Sequence, residues 1–324
     1  MNAIMIMCHK NLDQVKRLIQ RCTSENTRII VHVDAKLDVT DEEICQILPS
    51  RGYTTDNRLS GFVDDRSLVD ITMLLIDKAH QIEINEGIHF EYFCLLSGQD
   101  YLTKPIEYIN ERLEMIYPKA LIDCCSYEKG TWLRKKFVRN PFGQRINKWL
   151  RFSFNKRNVF WYVFKAMERI IRKISQIFRM TDYHYFKRKD IDLFGGSAWW
   201  ILPDTMISFV SNEYKAKKKQ WERLLFSETP EEVFFQTMAM QSSAANDIQL
   251  NIDKKTQKCK TWSYFYDDDK PPVNHPYTFT VKEFNKLIEK DCWFARKFDM
   301  NEDSVIFDLL DEYSDNFLKV DKNL

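Results

Sequence analysis

Two carboxylates, Glu231 and Glu232, stand directly against the apolar run Val233, Phe234 and Phe235 in the stretch SETPEEVFFQTM, residues 227–238. A carboxylate beside aromatic side chains is partly desolvated, which raises its proton affinity and suits it to general-base chemistry. The same residues also fit a structural role. Thr229-Pro230-Glu231-Glu232 has the form of a capping box, with Thr229 as N-cap, Pro230 at the first helical position and Glu232 reaching back to the N-cap N–H. A helix N-terminus favours the anion and so opposes the desolvation. Capping holds Glu232 in place, so cap and base are compatible roles, and Glu231 is left to complement the helix dipole.

The elements that must position such groups follow from periodicity. Residues 3–8 form a short apolar run, 12–21 have helical spacing and 28–34 (RIIVHVD) are rich in β-branched residues. Helical spacing returns at 41–48, 67–79 and 106–115, with an apolar strand at 92–96, a turn at Ser97-Gly98-Gln99-Asp100 and a strand-like run at 120–124. Strands alternating with helices predict an α/β fold, a mostly parallel sheet with helices on both faces. Ligands of such sheets bind beyond the carboxyl ends of the strands. Asp34 and Asp100 each follow a predicted strand, so both are expected to face that crevice.

Composition sets the outer bounds. The 324 residues are 44% hydrophobic and 29% charged, with only 8 glycines and 9 prolines, which fits a folded chain without long linkers. The formal net charge of +1 excludes a globally basic nucleic-acid binder. The eight cysteines form no C-x-x-C pair and no metal-finger spacing, so reduced thiols are expected. The opening apolar stretch stops at Cys8-His9-Lys10, too short for a signal peptide or a span, and a cytoplasmic protein is expected.

The middle changes character. Between Arg134 and Arg179 basic residues crowd the chain, interleaved with aromatics such as Trp149, Phe152, Phe154, Trp161 and Phe164, and acids are almost absent. Three readings fit: a surface helical insertion with a solvated basic face, an interfacial membrane helix, and a nucleic-acid-binding segment. No recognised nucleic-acid module accompanies the patch, so no nucleic-acid partner is expected. Peripheral contact of residues 132–179 with the inner face of a membrane is.

Downstream, two glycines precede a bulky strand in FGGSAWWIL, residues 194–202. Adjacent strand residues face opposite ways, so one of Trp199 and Trp200 is core and the other faces outward. Trp262 and Tyr264, two apart, share a face if extended. Residues 294–300 (FARKFDM) are expected to close a helix with Arg296-Lys297. Asp267-Asp268-Asp269 contains an Asp-x-Asp pattern, read as a solvated loop. His9, His32 and His275 lack metal-ligand spacing, so no metal is expected.

Taken in order, HVDAK (32–36), LLSGQDYLTKP (95–105), GGSAWWIL, TPEEVFFQTM, TWSYF and FARKFD resemble the core-2/I-branching β-1,6-N-acetylglucosaminyltransferase family, which includes the peptide O-xylosyltransferases. The chain looks like a short bacterial-type member, and the resemblance spans about residues 3–300, weakest in the basic middle. It implies a GT-A-like fold in a single catalytic domain. Residues 1–125 form the nucleotide-binding half, 126–185 the basic aromatic insertion, 186–300 the acceptor and catalytic half, and 301–324 a C-terminal helix. It implies an inverting, metal-independent glycosyltransferase without cofactor, moving GlcNAc from UDP-GlcNAc to a hydroxyl of a surface polysaccharide or lipid-linked oligosaccharide.

By motif, Glu232 is the catalytic base and Asp34 contacts the uridine, with Ile6 on the first strand nearby. Lys297 binds the diphosphate. Trp262 and Tyr264 match an aromatic pair lining the acceptor site, joined there by Trp199, Trp200, Asp100 and, as an acceptor carboxylate, Glu128. The vertebrate branching enzymes carry an arginine upstream of the lysine, where this chain has Asn274-His275-Pro276. His275 or Arg296 is expected to take its place. A preorganised Lys or Arg can neutralise a departing diphosphate as a metal does elsewhere. The alternatives left open are a xylosyl- or other hexosyltransferase and a non-catalytic carbohydrate- or nucleotide-binding protein.

Overall fold

The computed structural model describes residues 1–63, 65–127, 159–225, 227, 229–248, 261–266 and 276–321. The chain opens with β1 (Asn2–Cys8), α1 (Leu12–Cys22), β2 (Thr27–Val33), α2 (Asp41–Ile47), β3 (Gly52–Thr54), α3 (Ser67–Glu86) and β4 (Tyr92–Ser97). It continues through β5 (Asp100–Leu102), α4 (Ile106–Ile116), β6 (Cys125–Ser126), α5 (Val159–Ile177) and α6 (Asp182–Lys187). Next come β7 (Phe194–Gly195), β8 (Trp200–Pro203), α7 (Asp204–Ala216), α8 (Lys218–Leu225), a 3-10 turn (Pro230–Glu232) and α9 (Phe234–Gln241). The chain then passes through β9 (Trp262–Tyr264), α10 (Phe284–Ile288), β10 (Phe294–Arg296) and α11 (Val305–Asp321).

The central sheet has the order β3-β2-β1-β4-β8; the first four strands are parallel and β8 runs antiparallel along β4. β1 explains itself by period two. Ala3 and Met5 enter one hydrophobic cluster with α3 and α7, whereas Ile4 and Ile6 enter the other with α1, α4 and α11. A strand buried on both faces needs an unbroken apolar run, which is what residues 3–8 supply. α1 is capped by Asn11, whose side chain accepts the Gln14 N–H, and α2 by a full Thr40–Glu43 capping box. The chain leaves β1 towards β2 and β3 and then crosses to β4 on the other side. The order therefore reverses between β1 and β4, which places the ligand crevice beyond Cys8 and Ser97.

A second sheet, β5-β10-β9, sits beside that crevice. β10 pairs antiparallel with β5 and parallel with β9, so Asp100, Arg296 and Tyr264 lie in one register row. This corrects the expected helix at 294–300. Phe294 and Ala295 are fully buried between two strands, and tertiary pairing overrides local helix propensity. Residues 120–124 form only isolated bridges, Ala120 to Ile248 and Leu121 to Ile201, rather than a full strand. α11 closes the back of the molecule. Arg17 pairs with Asp308 and Asp311, Arg21 with Asp311 and Asp315, and the Tyr101 hydroxyl donates to Asp311.

Candidate active site

The Asp100–Arg296 pair is the site's rigid floor. Asp100 is fully buried, accepts the Ser97 N–H at 2.8 Å and meets Arg296 Nη1 at 2.9 Å. Burial pushes its carboxyl above the usual carboxylate range, and the Arg296 charge and the Ser97 N–H pull it back. The expectation that Asp100 faces the crevice is therefore corrected: the side chain is closed to solvent and holds Arg296. The Arg296 guanidinium lies 4.6 Å over the ring of Trp199. Asp100→Ala leaves that cation without its buried partner, and we expect a loss of about 3–5 kcal/mol of stability. Chemical denaturation measures it, and a change below about 1 kcal/mol, the scale of an exposed pair, contradicts the assignment.

Beside Arg296 gather the other basic groups of the crevice. His9 lies just past β1, and its imidazole is pushed below its ordinary pKa by burial first, then by the charges of Arg296 and Lys10. Lys297 is lowered by burial and by repulsion from Arg296 and Lys10. Lys10 itself is paired with Asp299. Buried Gln14 locks these segments together. Its amide donates to the Gly98 carbonyl at 2.7 Å and the Phe298 carbonyl at 3.2 Å, and its oxygen accepts the Met300 N–H at 2.9 Å. Gly98 packs so close to α1 that an added Cβ would stand 2.7 Å from a Val15 methyl. Mutual repulsion among half-buried cations is a cost that an anion at this point relieves.

Glu232 stands in the 3-10 turn between α8 and α9. The expected capping box is absent. Thr229 has φ 56° and ψ 63°, a left-handed conformation, and its side chain makes no capping bond. Pro230–Glu232 is a single 3-10 turn, held by Glu232 N–H to the Thr229 carbonyl (3.0 Å) and by Gly196 N–H to the Glu232 carbonyl (2.9 Å). Gly196 is obligatory, since a Cβ there would lie 1.9 Å from the Asp123 carbonyl oxygen. The Glu232 backbone is fixed by these two backbone hydrogen bonds. The Tyr266 phenol is raised by burial and then by the negative charge of Glu232, and lowered by Arg296, so all three groups share one field. Glu231 is the more buried neighbour.

The aromatic candidates divide. Trp200 is core, packed on Phe235, and Trp199 faces the site, as strand alternation requires. Trp262 and Tyr264 do share a face of β9, but Trp262 is largely buried and stacks on Phe294. The Tyr264 hydroxyl and Ser197 Oγ share a 2.7 Å hydrogen bond, and Gln236 donates to the Ser197 carbonyl at 2.6 Å. Asp34 closes the β2 end: Oδ1 accepts the Lys36 N–H at 2.8 Å and Oδ2 the Gly61 N–H at 2.9 Å. Ile6 is entirely buried in the core between β2 and β4, so its side chain presents nothing to the crevice. His32, held at a pKa of about 4 chiefly by burial, accepts the Leu59 N–H through Nε2 and is a neutral structural residue. Glu128, His275 and Asp267–Asp269 lie outside the described residues. Among the described residues no three His, Cys, Asp or Glu side chains gather as a metal set.

Four contributors were not foreseen. His9, Lys10 and Gln14 follow β1 and carry no motif of their own; only the rule that ligands bind beyond strand ends points to them. Arg58 donates to the Val33, Asp34, Leu37 and Val39 carbonyls and fixes the loop after β2, a long-range role that periodicity does not encode. A cavity of about 570 Å³ at the amino ends of the strands is lined by Glu25, Glu91, Glu107, Glu111 and Glu114. Its acidity makes it unsuited to an anionic ligand.

The sequence model of the Core-2/I-Branching enzyme family matches residues 3–288. The chain belongs to the core-2/I-branching enzyme family. Its mixed α/β architecture, with a mostly parallel central sheet, agrees with the GT-A-like glycosyltransferase fold expected of a member. The chain is 24% identical to "Xylosyltransferase sqv-6" of Caenorhabditis elegans over 90% of its length, covering 33% of that relative. It is 23% identical to "Beta-1,3-galactosyl-O-glycosyl-glycoprotein beta-1,6-N-acetylglucosaminyltransferase 4" of Danio rerio, over 96% of this chain and 68% of that one. It is also 23% identical to "Beta-glucuronosyltransferase GlcAT14A" of Arabidopsis thaliana, over 92% of this chain and 60% of that one. The branching-family chain thus spans about a third of the worm enzyme. Glycosyl transfer is common to the three names, and the sugar differs among them.

Proposed function

We propose that this family member is an inverting glycosyltransferase that moves GlcNAc from UDP-GlcNAc to a hydroxyl of a surface polysaccharide or lipid-linked oligosaccharide. The observation that supports the reading is that Glu232 and Arg296 both act on Tyr266, with His9, Lys10 and Lys297 grouped around Arg296 and the Trp199 ring under its guanidinium. Residues 1–125 hold the nucleotide, with Asp34 at the uridine, and residues 186–300 supply the acceptor side within one catalytic domain.

In a single displacement the acceptor hydroxyl attacks the anomeric carbon as the bond to the diphosphate breaks. Glu232 accepts the hydroxyl proton, and the diphosphate leaves with the bonding electron pair. Arg296 and Lys297 meet the charge that develops there, work a metal does in other enzymes, and Asp100 keeps Arg296 aimed. Trp199, turned outward, offers a face for the apolar side of a pyranose. Nucleotide release from UDP-GlcNAc, UDP-xylose and UDP-glucuronate, with mixed lipid-linked and simple sugar acceptors, tests the donor. The highest kcat/KM is expected with UDP-GlcNAc; a higher value with UDP-xylose makes the chain a xylosyltransferase.

The cluster also sets a pH dependence. His9 lies below 6.5 because burial and neighbouring cations disfavour its charged form. A bound diphosphate reverses that field and raises the imidazole pKa, so the complex binds more protons than the free protein. Donor affinity therefore rises as pH falls through the bound-state pKa of His9, and binding takes up protons. Calorimetric titration of UDP-GlcNAc in two buffers of different ionisation enthalpy measures the uptake. We expect a positive value that His9→Asn abolishes; zero uptake in the wild type places the diphosphate elsewhere.

A further inference from the structure

Helix α5 is mounted with its apolar side outward. From residue 162 onward its buried positions are polar, Glu168 and Ser175, each 2% exposed. Val163, Met167, Ile170, Ile174 and Ile177 recur at the four- and three-residue spacing of one helix face, and they are between 45% and 74% exposed. Phe178 extends the stripe at 69% exposure. Water gains nothing from such a face, and a contiguous apolar stripe of this kind marks an interaction surface.

The charge around the stripe selects its occupant. Arg169, Lys173 and Arg179 are exposed, Lys165 and Arg172 partly so, and the one acid between residues 162 and 181, Glu168, is buried. Two copies meeting through this face would bring like charges together. A nucleic acid would leave the isoleucines in water. A bilayer with anionic headgroups takes both features, the apolar side chains at the acyl boundary and the cations at the phosphates. Among the described residues no helix is long and apolar enough to cross a membrane.

We infer that α5 lies in the plane of an anionic lipid surface and docks the protein there through its Ile170–Ile174 face. The docking stands apart from the donor assignment, because the vesicle experiment needs no turnover. The full chain is sedimented with phosphatidylcholine vesicles with and without phosphatidylglycerol. Binding is expected with the anionic vesicles and should weaken as salt rises. Ile170→Asp with Ile174→Asp, and separately Arg169→Glu with Lys173→Glu, should each lower the bound fraction about tenfold or more. Both pairs change exposed residues, so the melting curves should match the wild type. A wild type left in the supernatant by both vesicles overturns the inference, as do variants that bind undiminished. A concentration-dependent dimer lost in the isoleucine variant makes the face a self-association surface instead.

Discussion

Glu232→Gln should lower kcat by about 10²–10⁴-fold, the usual worth of a positioned general base, and leave donor affinity nearly unchanged. The substitution keeps the shape of the side chain and removes its ability to take a proton. The turn that carries it is held by backbone hydrogen bonds from Gly196 and to Thr229. Thr229 does not cap. Those backbone hydrogen bonds do not involve the substituted side chain, so stability should change little. Nucleotide release under saturating donor and acceptor gives kcat, and calorimetry gives the donor Kd. A variant that keeps its full rate moves the base elsewhere, with buried Glu231 the neighbour to try next. A variant that loses donor affinity instead makes Glu232 a binding residue.

Lys297→Ala is expected to lower kcat by about 10²–10³-fold, the cost of removing one preorganised group that stabilises developing charge. It should also weaken UDP binding. Lys297 is the cleaner probe of the cluster because Arg296 has a second duty as the partner of buried Asp100. The backbone of Lys297 is tied independently, its carbonyl accepting the Phe279 N–H at 2.8 Å, so truncating the side chain leaves β10 intact. Lys297→Arg should restore much of the rate if the effect is charge. A Lys297→Ala enzyme within threefold of wild type would falsify the assignment of the leaving group to this cluster.

The fold of residues 1–125 was legible because its strands are buried on both faces and its helices on one. Residues 3–8 and 92–96 have no polar interruption, and α1 and α4 repeat apolar residues at helical spacing. The β10 strand was not legible. FAR is too short to carry a period, and its strand state depends on Tyr101 and Ser263, distant in sequence and paired only after folding. The capping box failed for a similar reason. TPEE has the right letters, but the tie between Gly196 and Glu232 fits a left-handed Thr229 and a 3-10 turn. Of the residues tied to motifs, Arg296 lies in register with Tyr264 and over the Trp199 ring, and Lys297 follows it. Those whose roles come from tertiary placement, His9, Lys10, Gln14 and Arg58, leave no trace in a local pattern.

The measurement that bears most directly on the account is nucleotide release from UDP-GlcNAc in the presence of EDTA, wild type against Glu232→Gln, with lipid-linked and simple sugar acceptors supplied. The account predicts undiminished release by the wild type under chelation and loss in the variant. Release that stops with EDTA and returns with Mn²⁺, or a variant as active as the wild type, contradicts it.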